Sequence, residues 1–110
     1  METPDFGIVY VVCGSVEEAE SLAKLVLEHR LAACANIIPV MHSMYWWQGS
    51  LQRATETLLL LKAPYTYYEQ IERLLKIHHS YEVPAIFQIP ITQGLIPFLR
   101  WIAEETAFDY

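Results

Sequence analysis

The sequence predicts an α+β sandwich whose strands and helices follow in the order βαββαβ, with one further helix at the C-terminal end. Three observations lead there. β-Branched runs of strand length alternate with segments of helical apolar spacing, two strand runs in the middle are joined through a glycine turn, and prolines fall where elements begin.

Ile8 to Cys13 is a β-branched run of strand length. Ser15 with Glu18 three residues on has the spacing of a capping box, so a helix is expected to start there. Ala19, Leu22, Ala23 and Val26 recur at helical spacing, against Glu17, Glu20, Lys24 and Glu28 on the wet side, and His29 and Arg30 suit the negative C-terminal end. Cys34 to Met41 returns to β-type residues. After a bent aromatic segment, Tyr45, Trp46 and Trp47, the Gln48-Gly49-Ser50 cluster turns the chain into the run Thr57 to Leu61, which makes a long hairpin. Pro64 and Thr66 with Glu69 open a second helix, whose stripe is Tyr67, Ile71, Leu74 and Leu75 and whose end falls near His78. Pro84 precedes a fourth strand, Ala85 to Ile91, and Pro97 sits in a tolerated first turn ahead of Phe98, Trp101 and Ile102. No repeat or linker interrupts the order, so one domain over residues 1–110 is expected.

Two crossovers around a central hairpin fit the ferredoxin-like arrangement, an antiparallel sheet in the order 4-1-3-2 with both main helices on one face. That topology sets Cys13, at the end of strand one, beside the segment His78 to Tyr81. Cys34 begins a strand at the opposite end, so no Cys13 to Cys34 disulfide is expected.

Seven Lys and Arg against thirteen Asp and Glu give a formal net charge of −6, which repels phosphate backbones and anionic lipid. Nucleic acid and membrane are therefore not expected partners. Met1 to Gly7 carries acids and a proline where an export signal needs a basic start and an apolar run, and no apolar stretch reaches about 18 residues. A cytoplasmic protein with reduced cysteines is expected. The hydrophobic fraction of 54% would leave much apolar surface facing water in a monomer this short, so an oligomer is expected.

The segment Leu31 to Pro39, reading LAACANIIP, resembles the signature of the CutA divalent-cation tolerance family. Ser43, Tyr45, Trp47 and Gly49 fit its S-x-Y-x-W-x-G hairpin, and Lys62 falls where its third strand ends in lysine. His79, Tyr81, Glu82 and Pro84 match its H-P-Y-E-x-P segment, and Phe98, Leu99, Trp101 and Ile102 its closing aromatic helix. Ser80 departs from that pattern by replacing the proline, and Leu95 by following Gly94 where the family usually has asparagine. The resemblance implies a cytoplasmic homotrimer linked to tolerance of copper and other divalent metals, with metal bound in some members. The trimer also resembles the PII signal-transduction proteins, which implies an alternative, a sensor that binds a small ligand between subunits.

In some family members a first-strand cysteine and two adjacent histidines are metal ligands. His78 and His79 match those histidines, while Cys13 stands two positions beyond the usual cysteine, at Val11. A thiolate with imidazoles suits copper or another divalent cation. Against this, the macrodipole favours a histidine at a helix C-terminus without any metal, and adjacent residues point apart unless the backbone is irregular. Tyr45, Trp46 and Trp47 could form a ligand platform, but are read as an oligomer interface. Lys62, Tyr81 and Glu82 are candidates for a cleft between subunits. No nucleophile-base pair, glycine-rich phosphate loop or paired carboxylates stand out, and enzyme activity is not expected.

Overall fold

The computed structural model describes residues 4–110, so residues 1–3 of the N-terminal stretch judged above lie outside it. Strand β1 is Phe6–Cys13, helix α1 Val16–Glu28, β2 Cys34–Trp47 and β3 Ser50–Pro64. A short 3-10 turn, Tyr65–Tyr67, leads into α2, Tyr68–His78, followed by β4, Ile86–Ile91, and α3, Ile96–Glu105. The sheet order is β2-β3-β1-β4 with antiparallel neighbours, the expected order read from the other edge. The fold is the α+β ferredoxin-like sandwich.

The period of two along each strand sorts the sheet into two faces. Val9, Val11 and Cys13 of β1 and Leu59, Leu61 and Ala63 of β3 point to the helices. There they meet Ala19, Leu22, Ala23 and Val26 of α1 and Ile71 and Leu75 of α2, all buried. The other face aligns Ile8 with Ile89 and Tyr10 with Phe87, whose rings stack at 4.6 Å, and α3 covers only its Phe6 and Ile91 end. Phe87 and Ile89 stay 46% and 41% exposed, so this apolar face needs something outside the chain to cover it.

The hairpin is longer and more regular than the pattern suggested. β2 runs on through the aromatic segment to Trp47, and the bend is a register shift at Pro39 and Val40, where a proline cannot donate to the ladder. Gln48 and Gly49 both have positive φ, 48° and 83°, the signs a two-residue type I′ turn requires. β1 pairs only with residues 57–64 of β3, so the hairpin beyond Thr57 projects past the four-stranded sheet.

A second cluster, Phe6, Leu99, Ile102 and Ala103, seats α3 at the far end. Phe98 and Trp101 stack at 6.0 Å on its outer side and stay partly exposed. Arg30, at φ 57°, leaves the end of α1 and pairs with Glu105 at 2.9 Å, tying α1 to α3. The two side chains are largely exposed, so this pair adds little stability.

Leu59 is fully buried in the central strand under both main helices, so Leu59→Ala should cost about 2–5 kcal/mol of stability. Gly49→Ala should cost about 1 kcal/mol through its left-handed φ alone, since nothing lies within 4 Å of the added methyl. Denaturant melts at fixed protein concentration check both, and a Leu59→Ala effect below that of Gly49→Ala would contradict this core.

Candidate functional site

The chemistry collects where β1 stops and β3 runs on. Cys13, the last residue of β1, is fully buried on the helix face, with Sγ 4.0 Å from the Val11 carbonyl. Ser15 caps α1 as its spacing predicts, its Oγ accepting the Glu18 amide at 3.1 Å. Glu18 does not complete the box. Its Oε1 accepts the Gly14 amide at 2.9 Å and its Oε2 the Ser80 amide at 2.8 Å, so the carboxylate clamps the loop after α2 onto the end of β1. A proline at position 80, as in the H-P-Y-E pattern, has no amide to donate. The departure at Ser80 thus creates this contact.

Helix α2 ends at His78, and His79 is extended, at φ −79° and ψ 142°, which turns the two rings apart. His78 stays exposed on the last turn. His79 turns inward, its Nε2 2.7 Å from the Val12 carbonyl and its Nδ1 accepting the Tyr81 amide at 3.0 Å. A carbonyl can only accept and an amide only donate, so in this arrangement Nε2 is the donor to Val12 and Nδ1 the acceptor from Tyr81.

Ligand-type atoms of Cys13, Glu18 and His79 lie within 4.8 Å of one another, a group of three able to face one cation; His78 is not part of it. Burial, then the charges of Glu18 and Glu56, push the Cys13 thiol up to about 12, which keeps it protonated near neutral pH. For Glu18, burial works to raise the pKa, but the hydrogen bonds from Gly14 and Ser80 and the nearby His79 outweigh it and hold the carboxyl below its ordinary value.

A second feature lies on the other side of the sheet end. The Tyr81 hydroxyl donates to Glu56 Oε2 at 2.7 Å, and Glu56 is only 7% exposed. Burial, then this bond and the Glu56 charge, push the Tyr81 hydroxyl well above its ordinary range, so it stays a donor. Around the pair is a cleft of about 760 Å³, with Tyr10, Tyr45, Trp47 and Glu82 among its other lining residues.

The structure therefore brings Tyr81 and Glu82 together with Tyr45 and Trp47, and leaves out Lys62 and Trp46. Lys62 pairs with Ile8 and Cys34 at the opposite end of the sheet. Trp46 alternates with its neighbours onto the other face of the hairpin, 74% exposed. Sequence reasoning missed Glu18 and Glu56 as members of these clusters. Glu18 carried only a capping signal, and Glu56 stands one residue before the expected strand start.

Residues 7–105 match the family model described as CutA1 divalent ion tolerance protein. The chain belongs to that family. It is 43% identical over 96 residues to the divalent-cation tolerance protein CutA of Archaeoglobus fulgidus, covering 87% of this chain and 93% of that one. Over 99 residues it is 34% identical to the chloroplastic CutA 1 of Oryza sativa, covering 90% of this chain and 56% of that longer protein. The solved Archaeoglobus fulgidus structure superposes with a TM-score of 0.89 at 40% identity, over 92% of this chain and 98% of that one. That protein is described as periplasmic, which overturns the expectation of a cytoplasmic location. The physical reason is that neither acidity nor the lack of an apolar run ties this fold to one compartment. Among the described residues no helix is long and apolar enough to cross a membrane. The relatives are named for tolerance of divalent cations rather than for a reaction.

The Glu18 clamp is testable. Glu18→Ala and Ser80→Pro should each destabilise by about 1 kcal/mol, and together by less than their sum, because both remove the same bond. Additive effects in a double-mutant cycle would refute the clamp. With its folded pKa below 4.5, Glu18 contributes stability that is present above that value and lost as pH falls through the lowered one. Glu18→Gln should flatten that acid limb of the stability profile.

Proposed function

We propose that the protein acts in tolerance of divalent cations as a homotrimer, taking up copper or a similar ion weakly where Cys13, Glu18 and His79 converge. The observation that carries this reading is the 4.8 Å grouping of a sulfur, a carboxylate and an imidazole, a donor set that suits copper. The donors fit in kind, but each is already engaged. His79 uses both ring nitrogens, Glu18 holds two amides, and the Cys13 thiol keeps its proton. A cation has to displace these bonds, so weak uptake follows. His78, exposed and turned away, stands outside this set. The trimer reading is supported by the uncovered apolar sheet face and by the exposed aromatics of the projecting hairpin. A second reading, a PII-like trimer with a small ligand between subunits, is favoured by the cleft beside Glu56 and Tyr81.

Titration calorimetry with Cu(II), Zn(II) and a panel of small anions separates the two readings, since heat from metal alone favours the first and a tight organic ligand the second. His79→Ala should weaken copper binding at least about tenfold, and Cys13→Ser should act mainly on Cu(I). His78→Ala should leave Cu(II) affinity within about twofold. Unchanged curves for His79→Ala in a protein that still melts cooperatively would remove the site. Sedimentation equilibrium at micromolar concentration should give about three times the 12.7 kDa chain mass. A monomer there would remove the interface reading of Tyr45, Trp46 and Trp47.

A further inference from the structure

We infer that Tyr81, held by Glu56, is a positioning residue of the metal site although it contributes no ligand atom to it. Its bonds compete with the ion for His79, so metal uptake on the helix face releases the Tyr81–Glu56 contact on the other face of the sheet. This rests on the copper reading above and adds the regulation of that site.

His79 imposes the competition. A neutral imidazole has one lone pair and one N–H, and here Nε2 donates to the Val12 carbonyl while the Nδ1 lone pair accepts the Tyr81 amide. If Nδ1 gives its lone pair to an ion, the amide loses it. If Nε2 gives one instead, the Nε2 proton moves to Nδ1, where an N–H then points at the N–H of Tyr81. The Tyr81 amide loses its acceptor whichever nitrogen serves.

Glu18 repeats the pattern one residue earlier. Its Oε2 accepts the Ser80 amide at 2.8 Å, so two of the three ligands anchor residues 80 and 81. No helix or strand lies between His78 and Ile86 to hold them otherwise, and the next backbone bond runs from the Val12 amide to the Ala85 carbonyl. Giving up His79 and Glu18 to an ion therefore loosens this segment.

The segment carries Tyr81, whose ring lies 4.9 Å from that of His79 and whose hydroxyl donates to Glu56 Oε2 at 2.7 Å. Glu56 is 7% exposed, and neither ion pair found among the described residues involves it. Taking a donor from a buried carboxylate is costly, so the ion and the Tyr81–Glu56 bond oppose each other. That opposition is reciprocal. All these bonds lie within one chain, so the coupling does not depend on whether a neighbouring copy covers the outer face.

Calorimetry with Cu(II) and Zn(II) tests it together with amide hydrogen exchange. Tyr81→Phe keeps the ring and the amide but removes the hydroxyl, and should tighten both metals at least about threefold. Tyr68→Phe, which removes a hydroxyl outside the segment, should leave both within about twofold. In the unaltered protein, saturating Zn(II) should speed exchange of the Tyr81 amide at least about tenfold and leave that of Leu59 in the core unchanged. Metal heat with the Tyr81 amide still protected overturns the coupling and leaves the metal site standing, and so does equal tightening by Tyr68→Phe. No heat from either metal overturns the metal site itself, and the coupling with it.

Discussion

The difference in length between β1 and β3 governs the rest of this molecule. β1 has eight residues and β3 fifteen, and they pair from Phe6 with Pro64 to Cys13 with Thr57. Beyond that point β3 has a partner only in β2. A two-stranded ribbon alone in water is marginal, so the projecting hairpin needs cover from elsewhere. The same mismatch leaves a step at the sheet end, where Cys13 and Glu56 lie next to each other in the ladder on opposite faces. Burial of Cys13 under the helices and of Glu56 under Tyr81 are two consequences of that step.

The two main helices, α1 and α2, cover one face, and α3 reaches only the Phe6 end of the other. Two helices over a four-stranded sheet bury Val9, Val11, Leu59 and Leu61, and leave Phe87 and Ile89 to water in the isolated chain. A sandwich of two layers has an outer sheet face that must be polar or find a partner. Here it is apolar, which explains why so short a sequence carries so large a hydrophobic fraction. The composition was a record of the uncovered face.

Element order and sheet topology were legible because local signals agreed: the Ser15 cap, the stripe of α1, the Gln48-Gly49 turn and Pro97 each act within a few residues. The hairpin's true length was not legible, because Pro39 and the polar residues of Gln52 to Glu56 break the apolar pattern while the backbone pairing continues. The site was half legible. Adjacency of His78 and His79 was visible, and so was the argument that neighbours point apart, but which ring turns inward depends on the extended backbone at position 79. Glu18 shows the limit most clearly. A capping box and a clamp on a distant loop have the same local sequence, and only the presence of an amide at Ser80, 62 positions away, decides between them.

Residues 79 to 81 join the two features into one construction. The His79 ring reaches the Val12 carbonyl on one side, its Nδ1 takes the amide of Tyr81, and the Tyr81 hydroxyl continues to Glu56 on the other. The rings of His79 and Tyr81 lie 4.9 Å apart, so neither can rotate far without moving its neighbour. Glu18 closes the loop from α1 by holding the amide of Ser80 between them. A chain of bonds in which each acceptor already has its donor is rigid, and a rigid strap holds a buried carboxylate more cheaply than a mobile one, because no donor has to be ordered anew. The strap explains how Glu56 is held where β1 ends, with its one fixed donor approaching from the loop and the cleft beside it.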